Sequence, residues 1–597
     1  MPLLGCVPLQ NNTLFHLDPQ DPRLRKVAAE SAAECCRLCA DCLTWSFTHH
    51  WGPSVPPCHL SWVAPLQVDN HSSGSWGGTT SVPSHLDGIY TIDTSVAGRR
   101  QIFEGIMVEL QSDSIGSDNE GMPDAAIGVP HDLIPEERVR FATEVLRGTR
   151  YIRLALGLYL RGVSADGQNI VGRWPEQMEE LRQLHQLSGV QGWAPEYWSP
   201  PPHWKSSGSY YNGTLASFDD SFLDSFSNAT LQDVKYLTAH GLPVSWWGLQ
   251  NEPNFQTENI TSCPKQDDDA AAETGSHLPA GISMGAGMRV GSNTYSRCNY
   301  DQCDYYRAFV ACATKIRAYD LTIRIHANSA TGQLGASPIA NNPETLPLLD
   351  AFTWHTVNAP SSHTFGNRST HYNYGKVDFT NEMEYQPGSP FAGTAVGTVA
   401  LLNTFLNTLT FKDSPTGVIS LHASKPTTNI EALGYGWTWW WPTNGSAPPA
   451  LPGLRPNHFA YNYWNWAAVA PFIKTVPWNS VRLGVDGAPV ARMRQRVVAF
   501  ETPEVGRGGP LHANTPAGKL IVVLTNEDGA ANFTAKVRSV DGRVRTWEGF
   551  QYQGSMDGAE FNVSLGSRIG AIFSTTLSPA TMQWWYEREG TEASRSK

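Results

Sequence analysis

The sequence predicts an α/β protein, a (β/α)8 TIM barrel with a C-terminal β-sandwich domain and a small N-terminal disulfide-rich domain. Three observations predict it. From Arg100 to about Ile473, apolar strand-like runs alternate with helical patterns, as consecutive βα units around a parallel sheet do. After an aromatic helix, His458 to Ala470, the pattern turns to short alternating strands separated by turn residues, as in a sandwich. Six of the ten cysteines fall between Cys6 and Cys58. At 597 residues the chain also exceeds one core, because single cores stop growing at about 250 to 300 residues.

Residues 1–85 hold a helix-like segment, Ala28 to Cys42, then short strand-like pieces and a Gly/Ser stretch, Ser72 to Thr80. In residues 100–473 the candidate strands are Ile102 to Leu110, Tyr151 to Leu156, Val190 to Pro195, Val244 to Leu249, Leu321 to Ala327, Ala351 to His355 and Val377 to Asn381. An eighth ends near either His422 or Trp437, and eight strands suit a closed barrel with long insertions over roughly 370 residues. Local signals bound the helices: Pro135 opens Glu136 to Arg147, which stops at Gly148, and Leu231 to His240 stops at Gly241 before Pro243. Residues 474–577 supply the sandwich strands, among them Lys519 to Thr525, Asn532 to Ser539 and Gly542 to Trp547. Residues 578–597 read as a polar tail, apart from Trp584, Trp585 and Tyr586, with no role assigned.

The chain carries 43 basic and 55 acidic residues, a net charge of −12. That balance disfavours nucleic acid and anionic membranes, whose phosphates need a basic surface. The cysteines form two even groups, six near the N-terminus and four in mid-chain (Cys263, Cys298, Cys303 and Cys312), which fits oxidised pairs. Zinc would need a matching His pair or second CxxC after Cys36, Cys39 and Cys42, and none follows. Nine Asn-x-Ser/Thr sequons point the same way as the cysteines, to a secreted, glycosylated protein. No charged-then-apolar leader precedes Cys6, so a signal peptide is expected either to have been removed before this numbering or never to have been recorded. The most apolar long stretch, Ala392 to Phe411, contains Asn403 and Asn407 and is too polar for a bilayer span. The run Asp267 to Asp269 lacks the alternate spacing of a calcium loop and reads as a solvated insertion.

In a parallel barrel, reactive side chains project from the C-terminal ends of strands. Two ends carry carboxylates: the fourth strand breaks into Asn251-Glu252-Pro253, and the seventh into Asn381-Glu382. Strands three apart place their ends across the barrel mouth from one another, where two carboxyl groups can flank a glycosidic bond.

These residues resemble the clan of retaining barrel glycosidases, and within it glycoside hydrolase family 30. Glu104-Gly105-Ile106, the Trp198 to Trp204 segment and the Lys519 to Thr525 region also resemble that family. The chain departs from it after the first strand, where Met107 to Ser114 replaces a Gly-rich turn and brings Glu109 and Asp113 toward the site. The resemblance implies that Glu252 is the general acid and base and Glu382 the nucleophile. It also implies that Asn251 bonds the sugar 2-hydroxyl and that Arg153 keeps Glu382 ionised. His355 ends the sixth strand and is placed to orient either carboxylate. Glu384 is the rival nucleophile, since strand alternation puts it on the face of Glu382. Asp378 sits too early in the strand.

Trp193, Tyr197, Trp198, Trp204, Trp246, Trp247 and Trp437 fall at or beyond strand ends, where flat rings can stack on sugars. Trp198 and Trp437 are the chosen sugar contacts; Trp246 and Trp247 are adjacent, so at least one must be packing. The expected substrate is a β-linked glycan, and carboxyl groups can do the whole reaction without metal or organic cofactor. Two other readings stay open: a non-catalytic carbohydrate-binding or adhesion protein, and a glycolipid hydrolase of the cerebroside type. The N-terminal cysteine spacing resembles a PAN or apple module, which implies a glycan or protein ligand for that unit; the alternative reading is a disulfide-stapled spacer with no ligand.

Overall fold

The computed structural model describes short strands between residues 10 and 79, and then residues 85–110, 134–173, 175–253, 263, 297–330, 337–357, 376–384, 395–410, 420–424, 440–441, 460–461, 463–488, 495–528, 531–552 and 563–588. Eight parallel strands close a barrel: β1 (Arg99–Leu110), β2 (Tyr151–Leu156), β3 (Gly192–Tyr197), β4 (Trp246–Gln250), β5 (Arg324–Ala330), β6 (Ala351–Val357), β7 (Val377–Glu384) and β8 (Ser420–Ser424). β8 pairs in parallel with β1, Ser420 opposite Phe103, so closure falls on the His422 segment and not on Trp437. Several strands begin two or three residues later than the sequence suggests, because their first apolar residues lie in the turns that feed the sheet.

Around the barrel run α1 (Pro135–Arg140), α2 (Gln177–Ser188), α3 (Asp220–Ala239), α4 (Gln302–Tyr319), α5 (Ser337–Asn341), α6 (Ala395–Thr410) and α7 (Tyr463–Thr475). α3 starts well before Leu231 because Asp219 caps it, its carboxylate accepting from the Phe222 amide at 2.8 Å. α2 stops at Gly189, whose φ of 72° closes the helix in the left-handed conformation.

Period-two alternation sorts the barrel strands into two faces. Ile106, Val108, Ile152 and Leu154 face the helices in the main core, whereas Met107, Tyr151, Ala194, Trp246 and Ala351 form a separate cluster inside the barrel. Trp246 and Trp247 divide accordingly, the first within the barrel and the second among the helices beside Phe309.

The sandwich departs from expectation at both ends. Its strands are β9 (Ser480–Ala488), β10 (Gln495–Glu501), β11 (Leu520–Asn526), β12 (Asn532–Ser539), β13 (Arg545–Tyr552), β14 (Val563–Gly570), β15 (Ile572–Leu577) and β16 (Thr581–Arg588). A strand that precedes the barrel, His85–Asp93, is inserted between β9 and β12, so the sandwich is not purely C-terminal. The supposed polar tail is β16, paired on one side with β11 and on the other with β13. Burial explains it: Trp584 and Trp585 are fully buried on opposite faces, the first toward the barrel helices and the second inside the sandwich.

β11 shows why the two halves form one body. Its Val522 and Leu524 fill the sandwich, while Ile521 and Val523 join the core shared with Phe405 of α6 and Phe472 of α7. A strand buried on both faces reads as a continuous apolar run, which Leu520 to Leu524 is. Asn403, noted for its polarity, is buried and donates to Glu527 at 2.8 Å while accepting from Thr525 at 2.6 Å, joining α6 to the sandwich.

In the mid-chain, Cys263 and Cys303 form a disulfide, but Cys298 and Cys312 are buried free thiols, contrary to the expectation of two pairs. Cys312 lies between helices, its Sγ 3.6 Å from the Thr230 hydroxyl, so its helical neighbour offers oxygen and not sulfur. Near the N-terminus a five-stranded antiparallel sheet runs in the order Gln10–Asn11, Ser75–Thr79, Thr44–Thr48, Cys58–Ser61, Arg25–Val27. The helix expected over Ala28 to Cys42 lies outside the described residues.

Candidate active site

Two residues further along the inward faces of β1, β2 and β3, the apolar layer gives way to charge: Met107 is followed by Glu109, Tyr151 by Arg153 and Ala194 by Glu196. All three charged residues are at most 1% exposed. The Arg153 guanidinium donates to Glu196 through Nε at 2.8 Å, to Glu109 through Nη1, and to Asn251 Oδ1 through Nη2 at 2.7 Å. Charge buried this deeply is tolerated only with partners at hand, and the planar fork of an arginine can serve several acceptors at once. Beneath the guanidinium lies the Trp198 ring, 4.4 Å from its carbon to the ring centroid.

His326 of β5 borders this layer, its Nδ1 3.3 Å from the Thr353 hydroxyl. Burial pushes its imidazole down to about 4, so it is neutral near pH 7. Gly248 of β4 admits no side chain here, since a Cβ would stand 2.3 Å from the His326 ring and 3.0 Å from Glu196 Oε1.

The end of β4 is held from several directions. Gln250 donates to the carbonyls of Trp198 and Asn251, each at 2.8 Å, and the Asn251 amide donates to Tyr197 O at 2.7 Å. The chain then turns at Glu252, which has φ of 44°. A left-handed conformation is costly for a residue with a Cβ, on the order of 1–3 kcal/mol, and the following Pro253 restricts it further. Between buried Asn251 and buried Pro253, Glu252 is the residue that reaches partial exposure. Asn251 and Arg153 are therefore brought together, and Glu252 is the next residue in the chain.

Across the mouth, two strands separate β4 from β7. The β6–β7 register shifts between Trp354 and His355, which sets His355 opposite Glu382 and Val357 opposite Glu384. Strand pairing continues through both glutamates, so secondary structure does not separate them, and Asp378 is the second residue of β7. Trp437 lies outside the described residues.

The aromatic residues depart most from expectation. Trp193, Trp198 and Trp246 have no exposed surface, and Tyr197, Trp204 and Trp247 are also buried. Trp198 supports Arg153 from below. Its loop is fastened by Lys205, whose Nζ donates to Ser199 Oγ at 2.9 Å and to the Arg297 carbonyl. Behind β3, the Tyr197 hydroxyl bonds the carboxyl of Asp233, which also accepts from the Ile170 amide at 2.9 Å and from Asn169 at 3.1 Å. Burial pushes the Asp233 carboxyl up to about 7.

Glu196 was missed by sequence reasoning, although an acidic residue two places after Ala194 in an apolar strand is the signal that could have found it. Among the described residues, no cluster of His, Cys, Asp and Glu could hold a metal ion.

Solved structures with this architecture include a family 30 subfamily 8 xylanase from Clostridium acetobutylicum, 13% identical over 84% of this chain and 99% of that one, with a TM-score of 0.55. The catalytic domain of a family 30 xylanase C from Talaromyces cellulolyticus is 12% identical over 84% of this chain and all of that one, with a TM-score of 0.52. The chain shares their fold. An endo-β1,6-glucanase is similar as well, at 12% identity and a TM-score of 0.54 over 84% of this chain and 94% of that one. No protein-family profile matches the sequence, and no curated protein matches it.

Proposed function

We propose that the chain is a secreted retaining glycosidase that cleaves β-glycosidic bonds of a polysaccharide or glycoconjugate. The observation that supports this reading is the Arg153–Asn251 bond at the end of β4, with the partly exposed Glu252 next in the chain. The other acid, Glu382, is at the end of β7, three strands round the barrel. Xylanase and glucanase activities of fold neighbours support the general class.

The Glu382 carboxylate attacks the anomeric carbon while Glu252 gives its proton to the leaving oxygen, forming a glycosyl ester. Glu252, now ionised, takes a proton from water; the water oxygen attacks the same carbon and Glu382 is released. With Oδ1 engaged by Arg153, Asn251 directs its amide N–H toward the sugar 2-hydroxyl. His355, opposite Glu382 in register, helps to orient it. Trp437 supplies a stacking ring, whereas Trp198 acts on the sugar through Arg153. The Cys263–Cys303 disulfide suits an oxidising compartment, and no helix among the described residues is long and apolar enough to cross a membrane.

The test is hydrolysis of a panel of β-linked glucans, xylans, galactans and glycolipids, with product sizing and anomeric NMR. Retained configuration and loss of turnover in both Glu252→Gln and Glu382→Gln are expected. Unchanged turnover in both variants removes the assignment, and a parent inactive on every substrate leaves a carbohydrate-binding barrel.

A further inference from the structure

A cavity lies away from the barrel mouth, where the sandwich meets the end of α7. It encloses about 760 Å³, within the usual range of roughly 300–1,000 Å³ for small-ligand sites. Its origin is a mismatch in width. The barrel-facing side of the sheet β10-β11-β16-β13 is covered by α6 and α7 over Phe500, Val523 and Trp584, but α7 stops at Thr475. Beyond it the same face continues as Phe550, Tyr552 and Tyr586, which remain half-buried and line the cavity.

These rings hold one another in place. Phe550 and Tyr586 lie 5.4 Å apart with planes inclined by 18°, and Tyr552 sits edge-on to Trp584 at 4.9 Å. Cations surround them. Lys474, Lys519 and Arg588 line the cavity with a single carboxylate, Glu587, which is itself shared between Lys519 and Arg545. Arg588 stands over the Tyr586 ring and pairs with Glu548. Lys474 is exposed and has no ion-pair partner among the described residues. In a chain with a net charge of −12, an aromatic cavity lined by three cations and one acid is out of keeping with the rest.

From this geometry we propose that the cavity is a second, non-catalytic binding site for an anionic oligosaccharide. The half-buried rings offer apolar surface to sugar C–H faces, the hydroxyls of Thr475 and Thr515 hydrogen-bond ring substituents, and Lys474 with Lys519 receives the negative group. A neutral glycan would leave that charge unused, and a protein partner would need a much broader surface than a cavity of this size. The site would hold an acidic chain beside the barrel independently of what the barrel cleaves, so it does not rest on the catalytic reading.

Calorimetric titration of the full chain, in the Glu252→Gln background to prevent turnover, tests it with trigalacturonate, a sulfated heparin tetrasaccharide and neutral cellotriose. At least one anionic probe is expected to bind about tenfold or more tighter than cellotriose. That preference should disappear in Lys474→Glu and weaken in Lys519→Gln, while both variants keep the parent's melting temperature. Binding of trigalacturonate shows that carboxylates suffice, whereas binding of the heparin tetrasaccharide, which carries both groups, without binding of trigalacturonate assigns the preference to sulfate. Equal binding of charged and neutral sugars, no binding of either acid, or anion binding unchanged in Lys474→Glu would each overturn the proposal.

Discussion

Arg153 and Asn251 meet at 2.7 Å, and that bond joins the buried charge inside the barrel to the residue preceding Glu252. One guanidinium thereby serves two tasks, pairing with Glu109 and Glu196 and fixing the orientation of the Asn251 amide.

Replacing Arg153 by Ala leaves two buried carboxylates without their cation. A loss of about 3–5 kcal/mol in unfolding free energy is expected, the typical consequence of removing one partner of a buried ion pair. Arg153→Lys keeps the charge but cannot match the fork, so it should recover part of the stability while kcat/KM stays down by at least about 100-fold. Urea denaturation and steady-state kinetics separate the two effects.

Glu196→Gln keeps shape and an acceptor while removing one of the two negative charges around Arg153. Stability should change little, by about 1 kcal/mol or less, whereas the pH profile of kcat should move, because the field of the polar layer at the acids changes. An unaltered profile would confine Glu196 to packing.

Asp233 makes stability depend on pH. Its folded value of about 7 lies above the unfolded carboxylate range near 3.8, so the folded chain binds the extra proton between them. The contribution is fully present at and below about pH 4 and is lost as pH rises through 7. Asp233→Asn, which cannot ionise, should flatten this part of the curve of melting temperature against pH. A parent and variant with parallel curves would show that Asp233 does not titrate in this range.

Truncation before Thr581 removes β16 and with it two fully buried tryptophans. The shortened chain is expected to be insoluble. Trp584→Ala alone should cost about 3–5 kcal/mol by chemical denaturation, in line with other buried aromatic truncations.

The barrel was legible because a parallel strand buried on both faces writes an uninterrupted apolar run, and turn residues bracket each one. Asn251-Glu252 stood out because polarity begins abruptly where that run ends. β16 was not legible for a corresponding reason: Trp584 and Trp585 sit among polar neighbours, and only pairing with β11 and β13 shows that both rings have a core to enter. The strand His85–Asp93 escaped because its partners lie about 400 residues further along the chain. Abundance of tryptophan suggested sugar platforms at the mouth, but Trp193 and Trp246 sit at the starts of β3 and β4, the end away from the mouth, and Trp198, just past the end of β3, is buried beneath Arg153.

By itself the sequence determined the βα alternation and the positions at which strands end in acidic residues, since both follow from local periodicity and residue chemistry. Only the tertiary structure decided that Glu109 and Glu196 share Arg153, that Cys298 and Cys312 stay apart as thiols, and that His85–Asp93 and β16 insert between the other strands of the sandwich. These depend on which distant segments come within a few ångströms of one another, and burial, not local propensity, selects among them.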